Sequence, residues 1–321
     1  MGMDQSISTA VGWEERPWTT DPDDAGALTR RARVRASGPY RAALPARIAR
    51  LGLNLPSDLA TDVEEATAAV VRFDAEISHA LPGLTGEIAP IDAVLLRTES
   101  ASSSQIEHIT ADARALALAT LGERTRPNAA LVAANVRAMG AASRLAADLD
   151  EPALLAAHDA LMVGQEHARP GAITRMGVPL SAGLLTDTAG YFDALTAYRD
   201  GDPAPIVRRF AQAAVAAVGN GRELVADLDE TLTGWRERLT ARRDAAVWRA
   251  LAVIIAQPAV TVDHLAQALG VSRPAAQRAV DQLVEAGALQ SVSAQRRNRV
   301  WLATEVLACL DEFAARTGRR G

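Results

Sequence analysis

The stretch from Thr261 to Leu289 constrains the fold more than any other part of this chain, because its punctuation and its apolar spacing agree. Thr261 can cap a helix over Val262–Leu269, and Gly270 ends it. Ser272 can cap a second helix with Pro274 in its first turn, running to Ala286 before Gly287 stops it. Val262, Leu265, Leu269, Val271, Val280, Leu283 and Leu289 fall where a shared core needs them. Upstream, Ala245–Ala256 reads as a helix and Val260–Thr261 as a short strand. Downstream, Leu289–Ser293 alternates apolar and polar residues, Ala294–Asn298 turns, and Val300–Leu302 returns as a second strand.

The order helix, strand, helix, turn, helix, hairpin resembles the winged helix-turn-helix family. Such modules place the second helix of the pair in the major groove. Here that helix begins Ser272-Arg273-Pro274, with Gln277 and Arg278 one turn on, so short polar and long basic groups stand at the end that meets bases and phosphates. Arg296, Arg297 and Arg299 lie near the hairpin tip, placed to grip flanking phosphate. The expected partner is DNA, with use of the module for protein contacts as the alternative and a homodimer as a further candidate. Charge leans the same way. The formal net charge is -5, yet Ala245–Gly321 holds nine Arg against six Asp and Glu. A mildly basic segment therefore sits on an acidic chain.

The rest of the chain reads as helical. Apolar residues make up 49% and aromatics 4%, so the core must be built from Ala, Leu and Val, which favours helices. Expected helices cover Ser57–Leu81, with Leu59, Val63, Val70, Phe73 and Ile77 on one face, then Ser100–Leu121. Asn128–Leu149 follows, with Leu131, Val132, Val136, Met139 and Leu145 inward, and then Glu151–Met162, Thr188–Asp200 and Pro203–Arg243. Residues 1–39 read as an irregular arm. The single cysteine, Cys309, excludes internal disulfides and Cys-rich zinc sites and reads as a small buried hydrophobe. Glu166 and His167 are adjacent and do not converge on a helix, and His158 sits among apolar positions, so no metal site is expected. No apolar run is long enough to span a membrane, and the polar N-terminus lacks a signal-peptide pattern, so a cytoplasmic protein is expected.

Two segments suggest more specific chemistry. Gly219-Asn220-Gly221-Arg222 could form a phosphate nest, but it falls within the expected helix Pro203–Arg243 and reads as a chance match on that helix, with the nest as the alternative. The residues in front of it, Phe210 to Val218, include no His, Asp or Glu. Glu99-Ser-Ala-Ser-Ser-Ser-Gln-Ile-Glu107 reads as the start of a helix on which Ser103 and Glu107, four apart, share a face.

That second segment resembles the inhibitory helix of Fic proteins, with its Ser or Thr, three residues, then Glu. Three further stretches resemble the same family: SGPYRAALPARIA, LLAAHDALMVGQEHARPG and VPLSAGLLTDTAGYFDALTAYRDGDPAPIVRRFAQAA. A trailing winged helix also fits actinobacterial-type members. The resemblance implies an inhibitory-type role for Ser103 and Glu107. It also implies a catalytic loop of the form His-Pro-Phe-x-Asp/Glu-Gly-Asn-Gly-Arg, and no His-Pro occurs in this chain. Aligned on the glycines, Ala214 stands at the His position and Val218 at the acid position. The family's core helices should fall between Arg169-Pro170-Gly171 and Val178-Pro179, where only a few residues stand. The reading is mostly α: a truncated Fic-like helical region followed by a winged helix-turn-helix domain. Its divisions are an irregular arm over 1–39, a Fic N-terminal-like region with the inhibitory-type helix over 40–163, a remnant lacking the catalytic loop over 164–243, and the winged helix over 245–321. The expected function is a non-catalytic DNA-binding or regulatory protein with no catalytic residue and no cofactor. The alternative is a protein adenylyltransferase with a degenerate site, which alone would need ATP and Mg²⁺.

Overall fold

The computed structural model describes residues 10–18, 38–46, 55–77, 90–123, 125–145, 179–292 and 299–318. The expected helix over Glu151–Met162, and with it His158, Glu166 and His167, lies outside these. The described residues are mostly helical and fall into two compact units. Helices α1 (Ser57–Ile77) and α7 (Ala204–Arg238) contribute to both.

The first unit holds Met1–Val63 and Ala189–Arg209. Strands β1 (Gly12–Trp18) and β2 (Gly38–Leu44) pair antiparallel from Gly12↔Leu44 to Trp18↔Gly38. Within the span 1–39, read from sequence as an irregular arm, Gly12–Trp18 is a strand. Pro17 and Pro39 lie directly opposite one another, and two prolines in so polar a stretch disguise the strand. Arg41 stacks over Trp13, 5.0 Å from the ring centre, and β1 is anchored by Val11 N–H donating to the Arg199 carbonyl at 2.9 Å. Arg199 ends α6 (Thr188–Arg199). Arg208 of α7 bridges Asp58 and Asp62 of α1 at 2.8 and 2.9 Å.

The second unit holds Glu64–Thr188 and Phe210–Gly321. Its helix α2 runs Pro90–Ile106, ten residues earlier than Ser100, where the sequence placed its start. Pro90 is favourable at a helix N-terminus, and Ile91, Val94 and Leu95 are buried on its inner face. The helix stops at Ile106, and His108 takes a left-handed φ of 63°. A new helix, α3 (Ala113–Leu121), starts only after Asp112, whose carboxylate accepts from Ala115 N–H at 2.7 Å. One expected helix is thus two. α4 (Pro127–Leu145) buries Val132 as expected, but Leu131 beside it faces solvent.

α5 (Leu180–Leu184) and a 3₁₀ turn, Leu185–Asp187, lead into α6. Glu99 of α2 accepts from both the Ser181 backbone N–H, at 2.8 Å, and its hydroxyl, at 2.6 Å, fixing the start of α5. α7 is small-faced in its first half, with Ala211, Ala214, Ala217 and Gly221 buried, and large-faced in its second, with Leu224, Leu228, Leu232 and Trp235 fully buried. The small half permits close approach. A Cβ on Gly183 of α5 would stand 2.0 Å from the Ala213 carbonyl oxygen. Gly183→Ala must therefore push two helix backbones apart. It is expected to cost about 1–3 kcal/mol in chemical denaturation, and a neutral result would contradict the observed packing.

The large half of α7 enters the same core as α8 (Ala246–Ala256), α9 (Val262–Leu269), α10 (Arg273–Glu285) and α11 (Thr304–Gly318). Three short strands, β3 (Ala259–Val260), β4 (Gln290–Ser291) and β5 (Trp301–Leu302), form an antiparallel sheet in the order β3-β5-β4. This is a winged helix-turn-helix, with its helices at the residues read from sequence to within one position. Val262, Leu265, Leu269, Val280, Leu283 and Leu289 are all buried in it.

Candidate nucleic-acid interface

The two helices of the motif are held by the residues that punctuate them. The Thr261 hydroxyl accepts from His264 N–H at 3.1 Å. Gly270 ends α9 with a left-handed φ of 63°, and the chain turns through Val271 to Ser272. Ser272 precedes α10 in an extended conformation and makes no side-chain capping bond. Ala276, Ala279, Val280 and Leu283 face the core, which leaves Arg273, Pro274, Arg278 and Asp281 outward. Pro274, Arg278 and Asp281 share one exposed stripe by helical spacing.

An open cleft of about 510 Å³ runs along this end of the motif. Arg273 and Gln277 of α10 line it, with His264 and Asp263 of α9 and Arg299 and Trp301 of the wing. Three residues read from sequence as DNA-facing therefore meet around one space. Ser272 and Arg278 are exposed on α10 nearby. Arg296 and Arg297 lie outside the described residues. Burial lowers the pKa of His264, which favours its neutral form.

The sequence reading missed the acids in this cleft, Asp263 and Glu123, and Asp281 beside it. Asp263 pairs with Arg273 across the helix pair. Asp281 accepts from the Gln277 amide at 2.8 Å. Glu123, just beyond α3, also lines the cleft. It arrives there because α3 packs on the wing sheet, with Ala117 against Ala259, Val300, Leu302 and Leu307. Gln257 donates to the Ala117 carbonyl at 2.8 Å and fixes that contact. The one local signal was Asp281, four residues after Gln277 on the same helix face. Asp263 and Glu123 are brought in by the fold alone.

The two other segments singled out in the sequence form no site with the cleft. Gly219–Arg222 lies inside α7, with no positive φ, so the nest conformation is absent. Gly221 is there for space: a Cβ on it would stand 2.7 Å from the Phe73 ring. Arg222 forks onto Glu76 at 2.7 and 2.9 Å, and its guanidinium holds that carboxyl below the usual range. Ser103 and Glu107 lie at the end of α2 rather than at a helix start. The serine run reads as capping, yet Ser100, Ser102 and Ser104 are buried inside the helix. Glu107 is exposed in the turn that follows, and among the described residues no Arg pairs with it.

Comparison with known proteins gives the fold a context. Residues 243–298 match the MarR family model. No curated protein matches the chain. Among similar solved structures is a Fic family protein from Desulfovibrio desulfuricans G20, 16% identical, covering 78% of this chain and 97% of that one, with a TM-score of 0.28. Among the described residues no helix is long and apolar enough to cross a membrane.

Proposed function

We propose that the C-terminal winged helix binds duplex DNA and that the chain acts as a DNA-binding regulator in the cytoplasm, without a catalytic role. One observation carries this reading: Arg273 and Gln277, within the segment that matches the MarR family, meet Arg299 of the wing around one open cleft. The N-terminal end of α10 enters the major groove, where Arg273 reaches a guanine edge or a phosphate and Gln277 an adenine edge. Ser272 and Arg278 add contacts from the same exposed end. The wing, with Arg299 and its neighbours Arg296 and Arg297, follows the flanking phosphates. The adenylyl-transfer alternative has no support at Gly219–Arg222, whose backbone is helical and whose Arg is paired to Glu76.

The test is binding of the full chain to sheared genomic DNA, followed by anisotropy over a salt series. The log of the affinity should fall linearly with the log of salt. Absence of binding at about 50 mM salt, where such contacts are strongest, overturns the reading.

Asp263 and Arg273 make a more specific expectation. Both side chains are exposed, 63% each, so their pair is weak and exchangeable for a phosphate. Asp263→Asn releases Arg273 and removes a charge that repels the duplex. Affinity at low salt should rise about two- to fivefold, and a fall would mean that the pair positions Arg273 for binding.

A further inference from the structure

Arg97 of α2 is buried to 4% exposure, yet its one hydrogen bond is to a neutral partner, Nη2 donating to Gln257 Oε1 at 2.6 Å. Gln257 is committed elsewhere through its own amide, which donates to the Ala117 carbonyl. Among the described residues, Arg97 Nε and Nη1 are buried with no hydrogen-bond partner. Among the described residues no carboxylate pairs with the guanidinium. Burial pulls its pKa down to about 10, which still leaves it charged at neutral pH. A buried cation without a counter-charge is costly, and proteins keep such groups where they have a use.

Arg97 borders a cavity of about 70 Å³, lined also by Ala101, Leu116, Leu310 and Phe313 and by Ser102 and Gln105. That volume holds several waters or one small oxyanion. The wall includes one acid, Asp311, and one of its oxygens is engaged by Ala113 N–H at 3.1 Å. Gln105, Thr110, Ala111 and Ala314 also line a wider, open groove of about 310 Å³, which Arg126 flanks. The shared residues put the groove beside the cavity, and the groove carries a second cation together with Asp112.

We propose that this cavity is a binding site for a small oxyanion, the size of a carboxylate group, whose oxygens accept from the buried guanidinium of Arg97. The anion supplies the counter-charge that the described residues do not. The apolar walls suit a short organic acid, with its carboxylate inside and its tail in the groove. Inorganic phosphate offers the same acceptors without the tail. The site is separate from the outward face of α10, so its occupancy is read without DNA.

Calorimetric titration of the full chain with acetate, butyrate and inorganic phosphate, at ionic strength matched with chloride, tests the proposal. A saturable heat is expected for at least one of them. Near 100-fold excess over its dissociation constant, the same anion should raise the thermal midpoint by about 4–5 °C. Stronger binding of butyrate than of acetate identifies an organic acid, and binding of phosphate alone identifies the inorganic source. Arg97→Met should abolish the heat without lowering the midpoint of the ligand-free protein, because an unpaired buried charge is exchanged for an apolar chain of similar length. Ala101→Leu keeps the charge and fills the cavity, and should also abolish the heat. If none of the three anions gives a saturable heat, or if the folded Arg97→Met or Ala101→Leu protein binds as the parent does, the proposal is wrong.

Discussion

Trp235→Ala should lower the unfolding free energy by about 3–5 kcal/mol, the range for removing a large buried aromatic. The indole is fully buried and is the last of the stripe Leu224, Leu228, Leu232 and Trp235 on α7. That stripe shares one core with Leu251, Ile254 and Ile255 of α8, Leu283 of α10 and Phe313 of α11. The indole N–H donates to Glu305 of α11, and Arg238, one turn on, reaches the same carboxylate at 3.2 Å. Arg238 Nε also donates to the Ala286 carbonyl at the end of α10, at 2.8 Å. The end of α7 is thereby fastened to two helices of the C-terminal region, α10 and α11. The change removes both the ring and its hydrogen bond. Trp235→Phe keeps most of the ring and should cost only about 1–2 kcal/mol. Denaturant unfolding followed by far-ultraviolet circular dichroism measures both. A loss below about 1 kcal/mol for the alanine variant would mean that α7 and the winged helix do not share a core.

The contrast between what could and could not be read in the sequence follows from the range of the interactions. The winged helix was legible because each of its boundaries is set locally. Thr261, Gly270, Pro274 and Gly287 act on the backbone within a turn of themselves, and Val262, Leu265 and Leu269 repeat with the helix period. The same local logic misled at Glu99–Gln105. Serines prefer caps, so the run was read as a helix start, while tertiary burial of Ser100, Ser102 and Ser104 holds it inside α2. Gly219 and Gly221 read as a chance match on a helix, and α7 does run through them, but the reason for the glycines is not local. In the structure Gly221 serves packing against Phe73, 148 positions earlier, which no local pattern reports. The acids of the cleft were hidden for the same reason. Asp263 meets Arg273 only once the helix pair folds, and Glu123 arrives on a helix from outside the motif. Basic residues on a predicted recognition helix can thus be located from sequence, while their state of pairing cannot.

That pairing decides how the double variant Arg273→Ala/Arg278→Ala should behave. Both residues are exposed on α10, so their removal leaves the core residues Ala276, Ala279, Val280 and Leu283 untouched. Stability should change by no more than about 0.5 kcal/mol, as for surface sites generally. DNA affinity should fall steeply. An Arg at a base edge is worth about 1–3 kcal/mol, and one at a phosphate about one unit of the salt slope. Arg273, nearer the end that enters the groove, should carry the larger share of any sequence preference. Arg278, one turn on, should act mainly through phosphate and weaken all sequences alike. Together the two changes should reduce affinity about 100-fold at low salt and flatten the salt dependence. Arg278→Ala alone then separates the roles, with a uniform loss across DNA fragments and a shallower slope. A double variant that folds normally and binds genomic DNA as tightly as the parent would remove α10 from the interface. The winged helix would then be a surface for protein contacts, and the arginines of its recognition helix would be solvated charge.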